Sequence, residues 1–130
     1  MLFEKIKKLK DKYEIEIPSE YNDFILNHEM YDYYGKFLKV NGYEYEIGHF
    51  LKEGESSSED LFDWYLLTDP KYKDYLTIAF CVYDEQIAIK VRGADKGKVV
   101  LLIEEDETEE VTFQIIDVAS NFSEFISKIF

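Results

Sequence analysis

Lys36-Phe37-Leu38-Lys39-Val40-Asn41-Gly42-Tyr43-Glu44-Tyr45-Glu46-Ile47 is the stretch that decides the fold class of this chain. Apolar and polar residues alternate on both sides of Asn41-Gly42, the period of a half-buried strand. Asn-Gly suits a two-residue type I′ turn, because both central residues take positive φ there. Such a turn fixes the register. It sets Val40 opposite Tyr43 and Leu38 opposite Tyr45 on one face. On the other face Lys39 stands opposite Glu44, an attractive pair. Turn chemistry and face pattern agree on one β-hairpin.

Outward from it, Leu76 to Tyr83 and Gln86 to Arg92 read as a second hairpin over Asp84-Glu85. That register pairs Val82 with Ile87, Phe80 with Ile89 and Ile78 with Val91. Cys81, Ala88, Ala79 and Lys90 fall on the other face. One bulky face and one small apolar face place this pair centrally in a sheet. Gly93 to Gly97 is a turn, and Lys98 to Glu104 and Glu110 to Ile116 are two further strands joined by an acidic loop.

Helical spacing marks both ends of the chain. Leu2, Phe3, Ile6, Leu9 and Tyr13 share one stripe, with Lys5, Lys8 and Lys12 opposite. Ile17-Pro18 opens a second helix with Pro18 at its first position, and Tyr21, Phe24, Ile25 and His28 are its inward stripe. Ser56, Ser57 and Ser58 offer caps for an inserted helix carrying Leu61, Phe62, Tyr65 and Leu66, which Asp69-Pro70 stops. Asn121 with Glu124 resembles a capping box ahead of Phe122, Phe125, Ile126 and Ile129. Helices at the ends and hairpins in the middle predict an α+β fold. The expectation is a largely antiparallel, twisted sheet of about five to six strands with N- and C-terminal helices packed on it. Residues 1–130 make one domain, since a second core would not fit comfortably in this length.

Composition narrows the function. The formal charge is −13, from 28 Asp and Glu against 15 Lys and Arg, and much of the excess lies in Glu53 to Asp69 and Glu104 to Glu110. A folded acidic domain repels nucleic acid and anionic membranes and attracts basic surfaces. Aromatic content of 17%, with 11 Tyr, supplies rings that bury a face while the hydroxyl stays wet. No run reaches the roughly 18 apolar residues of a membrane-spanning helix, and the N-terminus lacks the pattern of a signal peptide. The single cysteine, Cys81, forms no internal disulfide, and the expected location is the cytoplasm.

No catalytic constellation stands out. Cys81 lies in an apolar strand run and reads as a buried hydrophobe. His28 reads as a core or boundary residue and His49, after Gly48, as a loop residue; with Cys81 they lack zinc spacing. Gly93-Ala94-Asp95-Lys96-Gly97 lacks the Gly-Lys-Ser/Thr ending of a phosphate loop. Glu104 to Glu110 admits three readings: a solvated loop, a docking element for a basic partner, or a cation site without the pattern of an EF-hand. No cofactor, metal or catalytic residue is assigned, and the chain is not expected to be an enzyme.

Several segments resemble the SMI1/KNR4 (SUKH) superfamily. Ile17-Pro18, Tyr21 and Phe24-Ile25 fill the places of its opening Leu-Pro, Tyr and Phe-Leu signature. Leu76 to Phe80 is similar to its central strand, with Asp84 in the following turn and Gly97-Lys98-Val99 at the start of the next strand. Ala119 to Ile126 resembles its closing Ser-Phe-x-x-Phe-Leu helix. Where the family often has Asn-Gly-Gly, this chain has Asn27-His28-Glu29.

The resemblance implies a non-enzymatic binding domain of the bacterial immunity-protein type. Such a protein neutralises a cognate polymorphic or contact-dependent toxin, often a nuclease, by stoichiometric occlusion. The alternative is a regulatory or scaffold domain binding an endogenous protein. The partner expected is a protein with a basic surface, with no nucleic acid and no membrane. Glu105, Asp106, Glu107 and Glu109 are the candidate steering acids, with Glu55, Glu59, Asp60 and Asp63 as a second acidic patch. Tyr31, Tyr33 and Tyr34 are the candidate anchors.

Overall fold

A computed structural model of the chain describes residues 2–27, 29, 31–51, 65, 70–105 and 112–130. Helices α1 (Leu2–Tyr13) and α2 (Ser19–Asn27) lead into six strands. These are β1 (Phe37–Val40), β2 (Tyr43–Phe50), β3 (Tyr75–Cys81), β4 (Gln86–Lys90), β5 (Val99–Glu105) and β6 (Thr112–Ala119). Helix α3 (Phe122–Ser127) follows. The strands form one antiparallel meander in the order β1-β2-β3-β4-β5-β6. The sheet curls into a half-barrel, and the chain beyond α3 returns to its first edge. There Phe37 and Phe130 exchange backbone hydrogen bonds of 2.7 and 2.9 Å.

The first hairpin has the register expected from its sequence. Val40 pairs with Tyr43, Lys39 with Glu44 and Leu38 with Tyr45. Asn41 (φ 51°) and Gly42 (φ 86°) both lie in the left-handed region that a type I′ turn requires.

The second hairpin differs from the sequence expectation. Leu76 pairs with Ile89, Thr77 with Ala88, Ala79 with Ile87 and Phe80 with Gln86. Two local causes account for the shift. The loop is longer: Asp84 N–H donates to Cys81 O at 3.0 Å, Cys81 N–H donates to Glu85 O at 2.8 Å, and Asp84 alone turns left-handed (φ 70°). That is the three-residue loop built on a type I turn plus one left-handed residue, which Glu85 need not enter. A bulge between Thr77 and Ala79 then changes the alternation, so that Leu76, Ile78, Ala79 and Cys81 all join the main core. The pair is central in the sheet, as its composition implied.

Helices α2 and α3 supply one wall of that core. Tyr21 and Phe24 meet the Phe122 ring at 5.3 and 5.0 Å, and Phe24 meets Phe50 at 5.0 Å. Pro18 sits one position earlier than expected, since its carbonyl accepts from Asn22 N–H and Ser19 begins the helix. Asn121 caps α3 by accepting from Glu124 N–H at 2.8 Å, and Glu124 reaches back to Ser120 N–H at 3.2 Å. α1 forms over the expected range; of its predicted stripe, the side chain of Tyr13 alone is described. The inserted-helix prediction lies outside the described residues except at Tyr65, which is helical and fully buried. His28 is also outside them. A smaller apolar cluster of Ala88, Val100 and Leu102, flanked by Tyr75 and Phe113, occupies the other face.

Candidate protein-binding surface

An antiparallel meander sends alternate turns to opposite ends of its sheet. The Asn41-Gly42 turn, the Val82-Tyr83-Asp84 loop and the end of β5 at Glu105 therefore share one end. Val82 N–H donates to Glu46 O at 2.9 Å, which ties the second hairpin's loop to the first hairpin. At this end Tyr43 is 71% exposed and Tyr83 84% exposed, with Val82 beside them. Glu44, Asp84, Glu104 and Glu105 are exposed there and Glu85 half-exposed. None of these acids forms an ion pair among the described residues. The ion pairs Arg92–Asp74, Lys96–Glu16, Lys98–Asp117 and Lys128–Glu124 all lie elsewhere. At the hairpin end the one lysine set opposite an acid is Lys39, the cross-strand neighbour of Glu44, and the ion pairs among the described residues gather away from it.

Tyr45 lies just beneath this surface. Its hydroxyl pKa is raised, first by burial and then by the Glu85 carboxylate, Cys81 and Tyr43. Cys81 is buried, and burial, reinforced by Glu85, pushes its thiol up to about 12. A thiol so held is not a nucleophile at neutral pH. Among the described residues no group of three or more His, Cys, Asp or Glu could hold a metal ion.

The predicted anchors stand at the opposite end. Glu29 N–H donates to Asp32 Oδ2 at 3.0 Å, Tyr34 N–H to Tyr31 O at 3.0 Å and Gly35 N–H to Ile47 O at 3.0 Å. This turn, with Gly35 left-handed (φ 81°), aims Tyr31 and Tyr34 at solvent. Tyr33 faces inward instead and packs on Phe24 at 5.8 Å and Phe50 at 5.7 Å. Tyr34, Tyr31, His49 and Phe80 form a row of rings with centroid spacings of 6.3, 5.8 and 5.6 Å. His49 is a strand residue of β2, not a loop residue. Gly48 carries the strand through: β2 bulges there against β3, where an added Cβ would crowd the Phe80 carbonyl oxygen at 3.0 Å.

Of the predicted acids, Glu105 is exposed at the end of β5. Asp106, Glu107, Glu109, Glu55, Glu59, Asp60 and Asp63 lie outside the described residues. The structure therefore groups Glu105 with Tyr43 and Tyr83, and separates it from Tyr31 and Tyr34. Tyr43 and Tyr83 escaped sequence reading because strand and turn tyrosines are ordinary; their place in the two hairpins that flank the acid was the available signal.

No described helix is long and apolar enough to cross a membrane. A family model, the SMI1 / KNR4 family (SUKH-1), matches residues 3–128. No curated protein and no solved structure matches the chain.

Proposed function

The chain belongs to the SMI1/KNR4 family (SUKH-1), and from that premise we propose that it is a non-enzymatic immunity protein. It binds a cognate bacterial toxin, a nuclease by preference, and neutralises it by stoichiometric occlusion. The observation that carries this reading is the hairpin end of the sheet, where exposed Tyr43 and Tyr83 stand among acids that form no ion pair among the described residues. A cleft that grips nucleic acid is basic, so such a surface complements it and steers encounter. The tyrosine rings then supply desolvated contact area, the usual source of tight holding.

Co-expression with whichever reading frame adjacent to its gene proves toxic when expressed alone tests the proposal. Rescue from toxicity together with a co-purifying one-to-one complex is expected. Rescue without a complex overturns direct binding, and failure to rescue overturns the immunity reading.

A further inference from the structure

The two edges of the sheet are finished differently. On β1, the backbone N–H and C=O of Phe37 are bonded to Phe130. On β6, Phe113 N–H donates to Tyr72 Oη at 2.8 Å, so it points away from β5. In an antiparallel strand the N–H and C=O of one residue point to the same side, and the side alternates along the chain. Pairing from Glu105↔Thr112 to Val100↔Asp117 runs without a shift. The backbone groups of Ile115 and Asp117 therefore also point outward. Just beyond, Lys128 Nζ donates to Val118 O at 2.5 Å. Side chains thus close both ends of this edge. Between them, Ile115 N–H and C=O, Phe113 C=O and Asp117 N–H have no partner among the described residues.

We propose that this gap is a docking slot in which an extended segment of a partner protein adds a strand to β6. Four outward backbone groups set the hydrogen-bond ladder, and the Ile115 side chain, 41% exposed, offers an apolar contact. The occupant is basic. Asp117 on β6 and Glu104 and Glu105 on β5 are exposed, and Lys98 reaches Asp117 at 3.1 Å while leaving its side chain 76% exposed. A second copy of the chain would bring a charge of −13 against the same charge and is disfavoured. The segment that fits alternates apolar and Lys or Arg residues. The inference rests on the reading that this chain binds a protein, but not on that protein being a toxin.

The probe is an eight-residue peptide alternating Val and Lys, with two controls: the Val-Glu version, and the Val-Lys version N-methylated at alternate residues. Amide hydrogen exchange is followed residue by residue. The Val-Lys peptide should slow exchange at Ile115 and Asp117 at least about tenfold, leaving Gln114 and Ile116, already bonded to β5, unchanged. N-methylation should weaken binding at least about tenfold, because it removes ladder bonds and keeps the charge. Ile115→Pro should keep the fold and lose the peptide, since proline is tolerated where a strand's N–H faces outward. Equal binding of the N-methylated peptide, or protection mapping elsewhere, overturns the slot. Protection that rises with protein concentration alone overturns it in favour of self-association. If Ile115→Pro does not fold, the N-methylated peptide decides. Toxin rescue without protection at Ile115 removes the slot and leaves the proposed function standing.

Discussion

Gly48 passes so close to Phe80 that a Cβ on the glycine would stand 3.0 Å from the Phe80 carbonyl oxygen. The neighbouring atom belongs to the backbone of β3, so a side chain here is relieved only by moving a central strand. Gly48→Ala should destabilise the protein by about 1–3 kcal/mol, read from the urea midpoint at unchanged slope. A midpoint equal to wild type would mean that β2 and β3 separate freely at the bulge.

Tyr21 is buried, and its hydroxyl has no hydrogen-bond partner among the described residues. A buried hydroxyl without a partner costs free energy, so removing it relieves that cost while the ring contact with Phe122 remains. Tyr21→Phe should be neutral or stabilise by up to about 1 kcal/mol in thermal or urea unfolding. Tyr21→Ala should cost about 3–5 kcal/mol. Loss of stability in Tyr21→Phe would reveal a partner for the hydroxyl.

Alkaline pH should unfold the protein. Burial raises the pKa of Tyr21, and raises Tyr65 and Cys81 each to about 12. Above about pH 9 the unfolded chain releases these protons and the folded chain keeps them, so stability falls as pH rises. Each group contributes about 1.4 kcal/mol per pH unit between its two pKa values. Lys73, whose pKa burial lowers, acts in the opposite sense. Urea midpoints should be level around neutrality, fall above about pH 9, and fall less steeply in Tyr21→Phe. A level profile to pH 11 would refute the burial assignment.

Asn121 holds the start of α3 through Glu124 N–H, and α3 supplies Phe122 and Phe125 to the core. Asn121→Ala should cost about 1 kcal/mol, and Asn121→Asp should restore most of it. Equal loss in both variants would show that the amide, not the cap, matters.

The hairpin-end surface separates steering from holding. With the toxin in hand, Asp84→Lys and Glu105→Lys should slow association and flatten its salt dependence. Tyr43→Ala and Tyr83→Ala should mainly speed dissociation, by about tenfold or more for an anchor, with unfolding free energy changed by less than about 0.5 kcal/mol. An association rate independent of salt in the wild type would exclude steering.

The first hairpin, the α3 cap and the α+β class were legible because each rests on contacts a few residues apart. Asn41-Gly42 sets its own turn, and Asn121 reaches only to Glu124. The β3–β4 register was not legible, because a left-handed Asp84 and a bulge at Ile78 are settled by packing against both neighbouring strands. Gly48 misled for the same reason: in sequence a glycine ends a strand as readily as it lets one pass close to another.

By itself the sequence determined an acidic α+β domain with aromatic residues to spare, since charge, alternation and turn chemistry are local properties. Only the tertiary structure decided which tyrosines stand with the acid. The order of six paired strands brings Tyr43, Tyr83 and Glu105 to one end of the sheet and sends Tyr31 and Tyr34 to the other. That arrangement depends on long-range strand pairing, which residue spacing along the chain does not encode.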